Sequence, residues 1–345
     1  MPSPGPSSAP SSPPELPPAT GPAVRRARGP RESFDPARPV AVFDELEVES
    51  PGRPVPTRVL ILGGAECRFT CAMCDLWKHS LDGPTPPGSL PTQIRQGLAA
   101  PATVSPAPTS APPRWIKLYN GSNFFDPRSV PPEDLPAIAR LLDGHDRVVV
   151  ENHPRLTGPA VPRFRDAITG RLEVALGLET VHPRLLPWLA KRMTPDDFAA
   201  AAARLRGWDV DVRAFVLLGL PGLAPDDSLA ACLDAVAFAI DSGARHVSIV
   251  PTRAGNGFLD DLARRGLFTP PSALLVERAA ARAIGGKADR AAIVTVDLWG
   301  FAALSGQCAA CRTARERRLD EANLTQRPPA PVAFPCGCGG EEASA

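Results

Sequence analysis

The sequence has little lysine, tyrosine or methionine: four lysines (Lys78, Lys117, Lys191 and Lys287), one tyrosine and three methionines in 345 residues. Arginine carries nearly all of the positive charge, and the formal net charge is only +1. No global field therefore draws the chain to nucleic acid or to an anionic membrane surface. No apolar run reaches the roughly 20 residues that a membrane-crossing helix requires. The opening MPSPGPSSAPSSPPELPPAT has neither a basic n-region nor an apolar h-region, so no secretory signal is visible. These absences predict a cytoplasmic protein with no membrane partner.

Proline is what the chain has in excess, 43 residues or about an eighth of the total, against a usual share of about a twentieth. Fifteen prolines precede Arg58, and a second group lies between Gly83 and Arg114 among Ala, Ser and Thr. Stretches of this composition bury too little apolar surface to order themselves. Residues 1–40, with a small basic knot at Arg25, Arg26 and Arg28, are accordingly expected to form a disordered tail. Residues 83–113 are expected to be a Pro-rich insertion, either a lid or a tolerated loop. What remains is an Ala/Leu/Val/Arg-rich body long enough to bury a sizeable core.

Within that body strand and helix signals alternate. Strands are expected at Arg58–Leu62, Trp115–Tyr119, Val148–Glu151, Leu172–Leu178, Val212–Leu218 and Val247–Val250, with a further one at Ile293–Val296. Helices are expected over Glu133–Leu142, from Thr194-Pro195, and from Pro225 to about Asp241; Thr194, Pro195, Asp196 and Asp197 supply an N-cap, a first-turn proline and acids for the dipole. Short apolar strands separated by helices mean a parallel sheet covered by helices. The expected fold is α/β, a partial (β/α)6-type TIM-like barrel over residues 41–300, followed by a small Cys-rich extension over 301–345. In such a barrel the chemistry gathers at the C-terminal ends of the strands.

Eight cysteines in a reducing compartment call for metal or core roles rather than disulfides. Cys232 falls in an apolar helix and reads as core. Cys67, Cys71 and Cys74 form a C-x3-C-x2-C triplet just past the first expected strand. Three thiolates suit a cubane [4Fe–4S] cluster with one iron lacking a protein ligand. A zinc site completed by His79 is the alternative, although zinc normally takes two ligand pairs across a longer loop. Cys308-x2-Cys311 and Cys336-x-Cys338 form a second set, suited to four-thiolate zinc or to a second iron–sulfur cluster. Between those pairs Arg312, Arg315, Arg317 and Arg318 make a basic helical stretch, more often a solvated face than an RNA contact.

A C-x3-C-x2-C loop after the first strand of a β/α barrel resembles the signature of the radical S-adenosylmethionine (radical SAM) superfamily. Leu176-Gly-Leu-Glu179, Lys191-Arg-Met-Thr194 and Leu218-Gly-Leu-Pro-Gly222 are similar to motifs of the branch holding the Elongator-type catalytic subunit, the tRNA methylthiotransferases and oxygen-independent coproporphyrinogen oxidase. The resemblance implies a [4Fe–4S] cluster on Cys67, Cys71 and Cys74, and S-adenosylmethionine bound at its open iron. It implies reductive cleavage to a 5′-deoxyadenosyl radical, with an external electron donor of the flavodoxin or ferredoxin type. It also assigns cofactor contacts: Asn120, Gly121 and Ser122 as the turn against the methionine amino group, Glu151 as a carboxylate for cofactor polar groups, Glu179 near the ribose, and Arg192 as the partner of the methionine carboxylate. Met73 stands where an aromatic residue is common, and Phe215 where relatives carry aspartate. Lys117–Asp126 is further similar to the radical SAM subunit of archaeosine synthase, which implies a transfer-RNA base as substrate, beside a small molecule. The competing reading is a zinc-stabilised RNA-binding or scaffold protein on a catalytically inactive barrel.

Overall fold

The computed structural model describes residues 15–101, 103–104, 111–286, 291–330 and 334–338. Ala41–Ser50 (β1) folds back on Arg53–Ile61 (β2) as an antiparallel hairpin, with Gly52 at the turn in the left-handed region. The sequence reading missed β1 and began β2 five residues late. Pro54 and Pro56 argue against a strand interior, yet here they sit opposite Val48 and Leu46 in the hairpin register.

From β2 onward every strand runs parallel to its neighbour. Trp115–Tyr119 (β3), Arg147–Asn152 (β4), Arg171–Glu179 (β5), Asp211–Leu218 (β6), His246–Pro251 (β7) and Ile293–Val296 (β8) follow in chain order across one sheet. Consecutive parallel neighbours with helical crossovers curl the sheet into a partial β/α barrel, as the strand count and spacing anticipate. A two-residue segment, Thr103–Val104, adds parallel to the outer edge of β1.

The crossovers are Ser89–Ala99 (α2), Leu135–Leu141 (α3), Ala160–Ala167 (α4), Pro195–Gly207 (α6), Pro225–Asp241 (α7) and Ala273–Gly286 (α9), which cover the outside of the sheet. Thr194 closes a reciprocal capping box with Asp197 at the start of α6, the signal read from the sequence. Cys232 is buried in α7. The Pro-rich stretch 83–113 is corrected by α2, whose Leu90 and Ile94 are fully buried against Leu60 and Ile116. Leu90, Ile94 and Leu98 at four-residue spacing outweigh the surrounding prolines, and the described part of the stretch is the ordinary β2–β3 crossover; residues 102 and 105–110 lie outside the described residues.

The expected disordered tail is corrected in the same way over residues 15–40, while residues 1–14 lie outside the described residues. Gly21–Ala27 (α1) is capped by Thr20 and packs its buried Val24 against Phe258–Arg264 (α8), in a second apolar cluster with Leu185–Trp188 (α5). Tertiary burial of two or three apolar residues orders a segment that its composition alone would leave loose.

Ala309–Thr325 (α10) lies across the gap between the two outer strands β1 and β8. The Asn323 amide exchanges both hydrogen bonds with the Val296 backbone (2.8 and 2.9 Å), and Gln326 does the same with Val294 (2.8 and 2.8 Å). Two side-chain amides thus stand in for a ninth strand along an edge that would otherwise expose unpaired backbone groups. The basic stretch here is not a solvated face throughout: Arg315 is buried and, with Arg318, pairs with Glu277 of α9.

The barrel floor is filled by charge rather than by hydrocarbon. Arg213 of β6 grips Glu47 of β1 with both guanidinium nitrogens (3.0 and 3.1 Å) and donates from Nε to Glu173 of β5 at 2.6 Å. Lys117 of β3 reaches Glu45 and Glu47, and Arg147 of β4 reaches Glu173 at 2.9 Å. Burial alone would raise the Glu173 carboxyl, but the Arg213 and Arg147 charges outweigh it and hold Glu173 at about 2. His246 sits in the same layer, pushed down to about 3 by burial and by Arg213, and so is neutral. Breaking such a network from one side leaves a buried charge without its partner. Arg213→Met is expected to cost about 3–5 kcal/mol of unfolding free energy, read from the urea midpoint; a change below about 1 kcal/mol would contradict the central role of Arg213.

Candidate active site

With the floor filled, the open space lies at the C-terminal ends of the strands. A cavity of about 270 Å³ there is lined by Cys67, Cys71 and Cys74 on one side and by Gly121, Glu151, Gly177, Glu179 and Lys191 on the other. The sequence-predicted triplet and four of the six predicted cofactor contacts therefore meet in one cavity: Gly121, Ser122, Glu151 and Glu179. Asn120 adjoins it, with its side-chain Nδ2 buried and lacking a hydrogen-bond partner among the described residues.

Glu151, at the end of β4, accepts hydrogen bonds from the backbone N–H groups of Asn120 and Gly121, both at 2.7 Å. Gly121 adopts φ 60, and a Cβ there would press on Leu76. The turn after β3 thus holds the carboxylate with successive backbone amides. Burial nevertheless pushes Glu151 up to about 7, the backbone donors only partly offsetting it.

The buried cation in the cavity is Lys191. Its ammonium donates to Glu179 Oε1 at 2.7 Å, and both side chains are buried. Arg192, which the resemblance places against the cofactor carboxylate, is exposed and outside the cavity lining. Arg192 has φ 59, and this left-handed turn swings adjacent side chains to opposite sides. Gly177 completes the cradle, since a Cβ on it would lie 2.4 Å from both Glu179 Oε1 and Lys191 Nζ. A signal for Lys191 was present in the composition. In a chain with four lysines, Lys117 and Lys191 are both buried in ion pairs.

The cysteine loop is braced from several sides. Asn123 donates to Cys67 Sγ at 3.2 Å, and Arg68 pairs with buried Asp126 at 2.5–2.6 Å. Phe69 stacks on His153 with centroids 3.8 Å apart, and His153 Nε2 lies 2.9 Å from the Lys191 carbonyl. The His153 Nδ1 accepts from the Arg155 N–H, so Nε2 carries the proton and donates to Lys191; burial, with nearby Lys191, keeps this ring neutral by lowering it to about 3. Asn256 donates to the Ala72 carbonyl at 2.6 Å. From the other side, Arg25 donates to Thr70 at 2.8 Å, while Arg28 and Arg31 pair with Glu66. The basic knot that the sequence left in a tail is thus a clamp on this loop.

Burial pushes the Cys71 thiol up to about 12, and raises Cys67 and Cys74 as well. Thiolates are costly here unless a metal compensates them, which does not suit free reactive cysteines. His79 faces Glu32 at 3.6 Å and is not part of the cavity, so the zinc arrangement with His79 is not assembled. Phe215, Thr252 and Arg253 line the far side, and the Thr252 hydroxyl is buried without a hydrogen-bond partner among the described residues.

No family model and no curated protein matches the sequence. Among solved structures, SuiB of Streptococcus suis bound to precursor peptide SuiA is similar over 69% of this chain and 48% of its own, with 12% identity and a TM-score of 0.50. The archaeal Methanocaldococcus infernus Elp3 is similar over 61% of this chain and 51% of its own, at 14% identity and a TM-score of 0.45. Coproporphyrinogen III oxidase (HemN) from Escherichia coli, a radical SAM enzyme, is similar over 63% and 49%, at 14% identity and a TM-score of 0.41. This chain spans about half the length of these proteins. The likeness to SuiB shows a shared fold, the partial β/α barrel expected from the strand pattern. No helix among the described residues is long and apolar enough to cross a membrane.

Glu151 supplies a test of the cavity's electrostatics. Its folded pKa lies above the unfolded value of 4.5, so the folded state prefers the neutral acid and loses stability as pH rises from there through about 7. Melting of the cluster-free protein should therefore fall across this window in the wild type and much less in Glu151→Gln. Equal pH dependence in the two proteins would contradict the buried environment.

Proposed function

We propose that this chain is a radical SAM enzyme in which Cys67, Cys71 and Cys74 hold a [4Fe–4S] cluster and leave one iron for S-adenosylmethionine. The observation that carries the reading is the convergence of three buried-to-half-buried thiols with a buried lysine, two carboxylates and a glycine turn on one cavity. The bound cluster and cofactor would supply a 5′-deoxyadenosyl radical by reductive C–S cleavage. Reducing equivalents come from an external one-electron donor of the flavodoxin or ferredoxin type.

The chain's own residues bind and orient. Lys191 offers an ammonium for the carboxylate of a bound amino acid, with Glu179 fixing its position; Glu151 and the Asn120–Ser122 turn face the polar groups at the other end. Asn123 donates to the Cys67 sulfur, a contact that stabilises thiolate character. The charged floor denies the substrate any path from below, so it enters past Phe215, Thr252 and Arg253.

The Lys117–Asp126 motif, similar to that of archaeosine synthase, builds the site. Lys117 belongs to the floor, Asn120 and Gly121 hold Glu151, Asn123 touches Cys67, and Asp126 anchors Arg68. It supports the cluster reading without specifying a transfer-RNA base. Bulk tRNA and small peptides are therefore both tested as substrates, the latter because SuiB holds a precursor peptide.

Anaerobically reconstituted protein should bind about four irons through this triplet and release 5′-deoxyadenosine when reduced with dithionite. Cys67→Ala should lose both properties; retention of S-adenosylmethionine cleavage in that variant overturns the reading. Lys191→Met should weaken S-adenosylmethionine binding about 10- to 100-fold, the worth of one charged hydrogen bond, while Arg192→Met should change it far less. Isothermal titration of the reconstituted proteins reads both, and a larger loss for Arg192→Met would reverse the assignment.

A further inference from the structure

The second cysteine set is separate from this cavity. Cys308 and Cys311 stand at the start of α10, and Cys336 and Cys338 return from the chain beyond it, so that all four sulfurs lie within 4.8 Å of one another. Among the described residues this is the only group of three or more potential ligands that converges so tightly. The Cys308 and Cys311 sulfurs are 3.9 Å apart. A tetrahedral ion with metal–sulfur bonds of about 2.3 Å sets sulfurs about 3.8 Å from one another. A cubane binds each cysteine to a different iron corner and spreads the sulfurs further. Disulfide bonding would require the sulfurs at about 2.05 Å.

The surroundings fit a dianionic tetrathiolate. The buried Arg315 guanidinium faces the Cys311 thiol, donates to the Cys338 carbonyl at 2.6 Å and stacks over Phe334 at 4.3 Å. Its Nε has no hydrogen-bond partner among the described residues. The Cys308 N–H points at Cys311 Sγ at 3.4 Å, and the Cys311 N–H bonds back to the Cys308 carbonyl at 3.2 Å. A backbone amide turned toward sulfur in a C-x2-C turn favours a bound thiolate.

The geometry points to a single zinc ion held by Cys308, Cys311, Cys336 and Cys338, which staples the C-terminal segment to the start of α10 and so holds that helix across the open β1–β8 seam. Zinc is preferred over ferrous iron at such a site by its higher affinity for the same ligands. The role follows from position. The first turn of α10 carries the ion, and its last turn carries Asn323 and, just beyond, Gln326, which cover the β8 edge.

Metal analysis of the full chain before and after anaerobic iron loading tests this. About one zinc per chain is expected in both samples, falling below about one-fifth in Cys336→Ser while iron at the first triplet is unchanged. Cobalt substitution should give thiolate charge-transfer and tetrahedral d–d bands that the variant lacks. Hydrogen exchange over residues 293–296 and 309–325 should accelerate about tenfold or more when zinc is removed. If Cys336→Ser does not fold, release of one zinc on mercurial titration of the wild type gives the same reading. About eight irons falling to about four in the variant would identify a second cluster instead. Zinc that is absent, or that survives the substitution, overturns the site, as does a zinc-free chain four hydrogens lighter with two disulfides. Faster exchange confined to residues 334–338 would overturn the role at the seam.

Discussion

Arg213 is the side chain around which the barrel is arranged. It stands on β6, the third strand from one edge of the sheet, and grips Glu47 on β1, near the far edge. The only way for strands so distant in the sheet order to exchange a bidentate ion pair is for the sheet to curl until they face one another. The same guanidinium binds Glu173, which in turn takes Arg147 and Arg245. A layer of mutually neutralising charge therefore closes the floor of the barrel. Each member depends on the others, because a lone ion at that depth would pay a desolvation cost of several kcal/mol.

Closing the floor fixes where chemistry can take place. The remaining space is at the C-terminal strand ends, between the cysteine loop and the turns carrying Glu151, Glu179 and Lys191. The cysteine loop is short of regular structure, so its shape is imposed from outside. Asn123, the Arg68–Asp126 pair, the Phe69–His153 stack and Asn256 hold it from within the barrel, and Arg25, Arg28 and Arg31 hold it from the N-terminal arm. Such bracing holds three sulfurs in place at the rim of the cavity, in buried surroundings that disfavour free thiolates.

The open side of the barrel poses a separate problem. β1 and β8 do not pair, and an unprotected parallel edge invites association with other chains. Here a helix supplies the missing hydrogen bonds through Asn323 and Gln326, and the four converging cysteines stand at the other end of that helix. The two cysteine sets thus lie apart in one molecule, one facing the cavity and one at the start of the helix that covers the seam.

Much of this was legible in the sequence. β3 to β8 each fall within about a residue of their expected limits, because short apolar runs between helix signals are local features. The triplet Cys67, Cys71 and Cys74 and the pairing of Cys308 and Cys311 with Cys336 and Cys338 were read from spacing, which the chain carries on its face. What the sequence could not disclose depended on partners far along the chain. Pro54 and Pro56 belong to a strand only because β1 lies opposite them. Arg25 and Arg28 look like a solvated knot until Thr70 and Glu66 are placed beside them. Arg192 and Lys191 are adjacent and both cationic, and the local backbone, left-handed at both Ala190 and Arg192, decides which of them enters the cavity. Local propensity and spacing determined the elements and the grouping of the cysteines. Tertiary structure decided which charges are buried together, because desolvation and pairing depend on distances that sequence order does not encode.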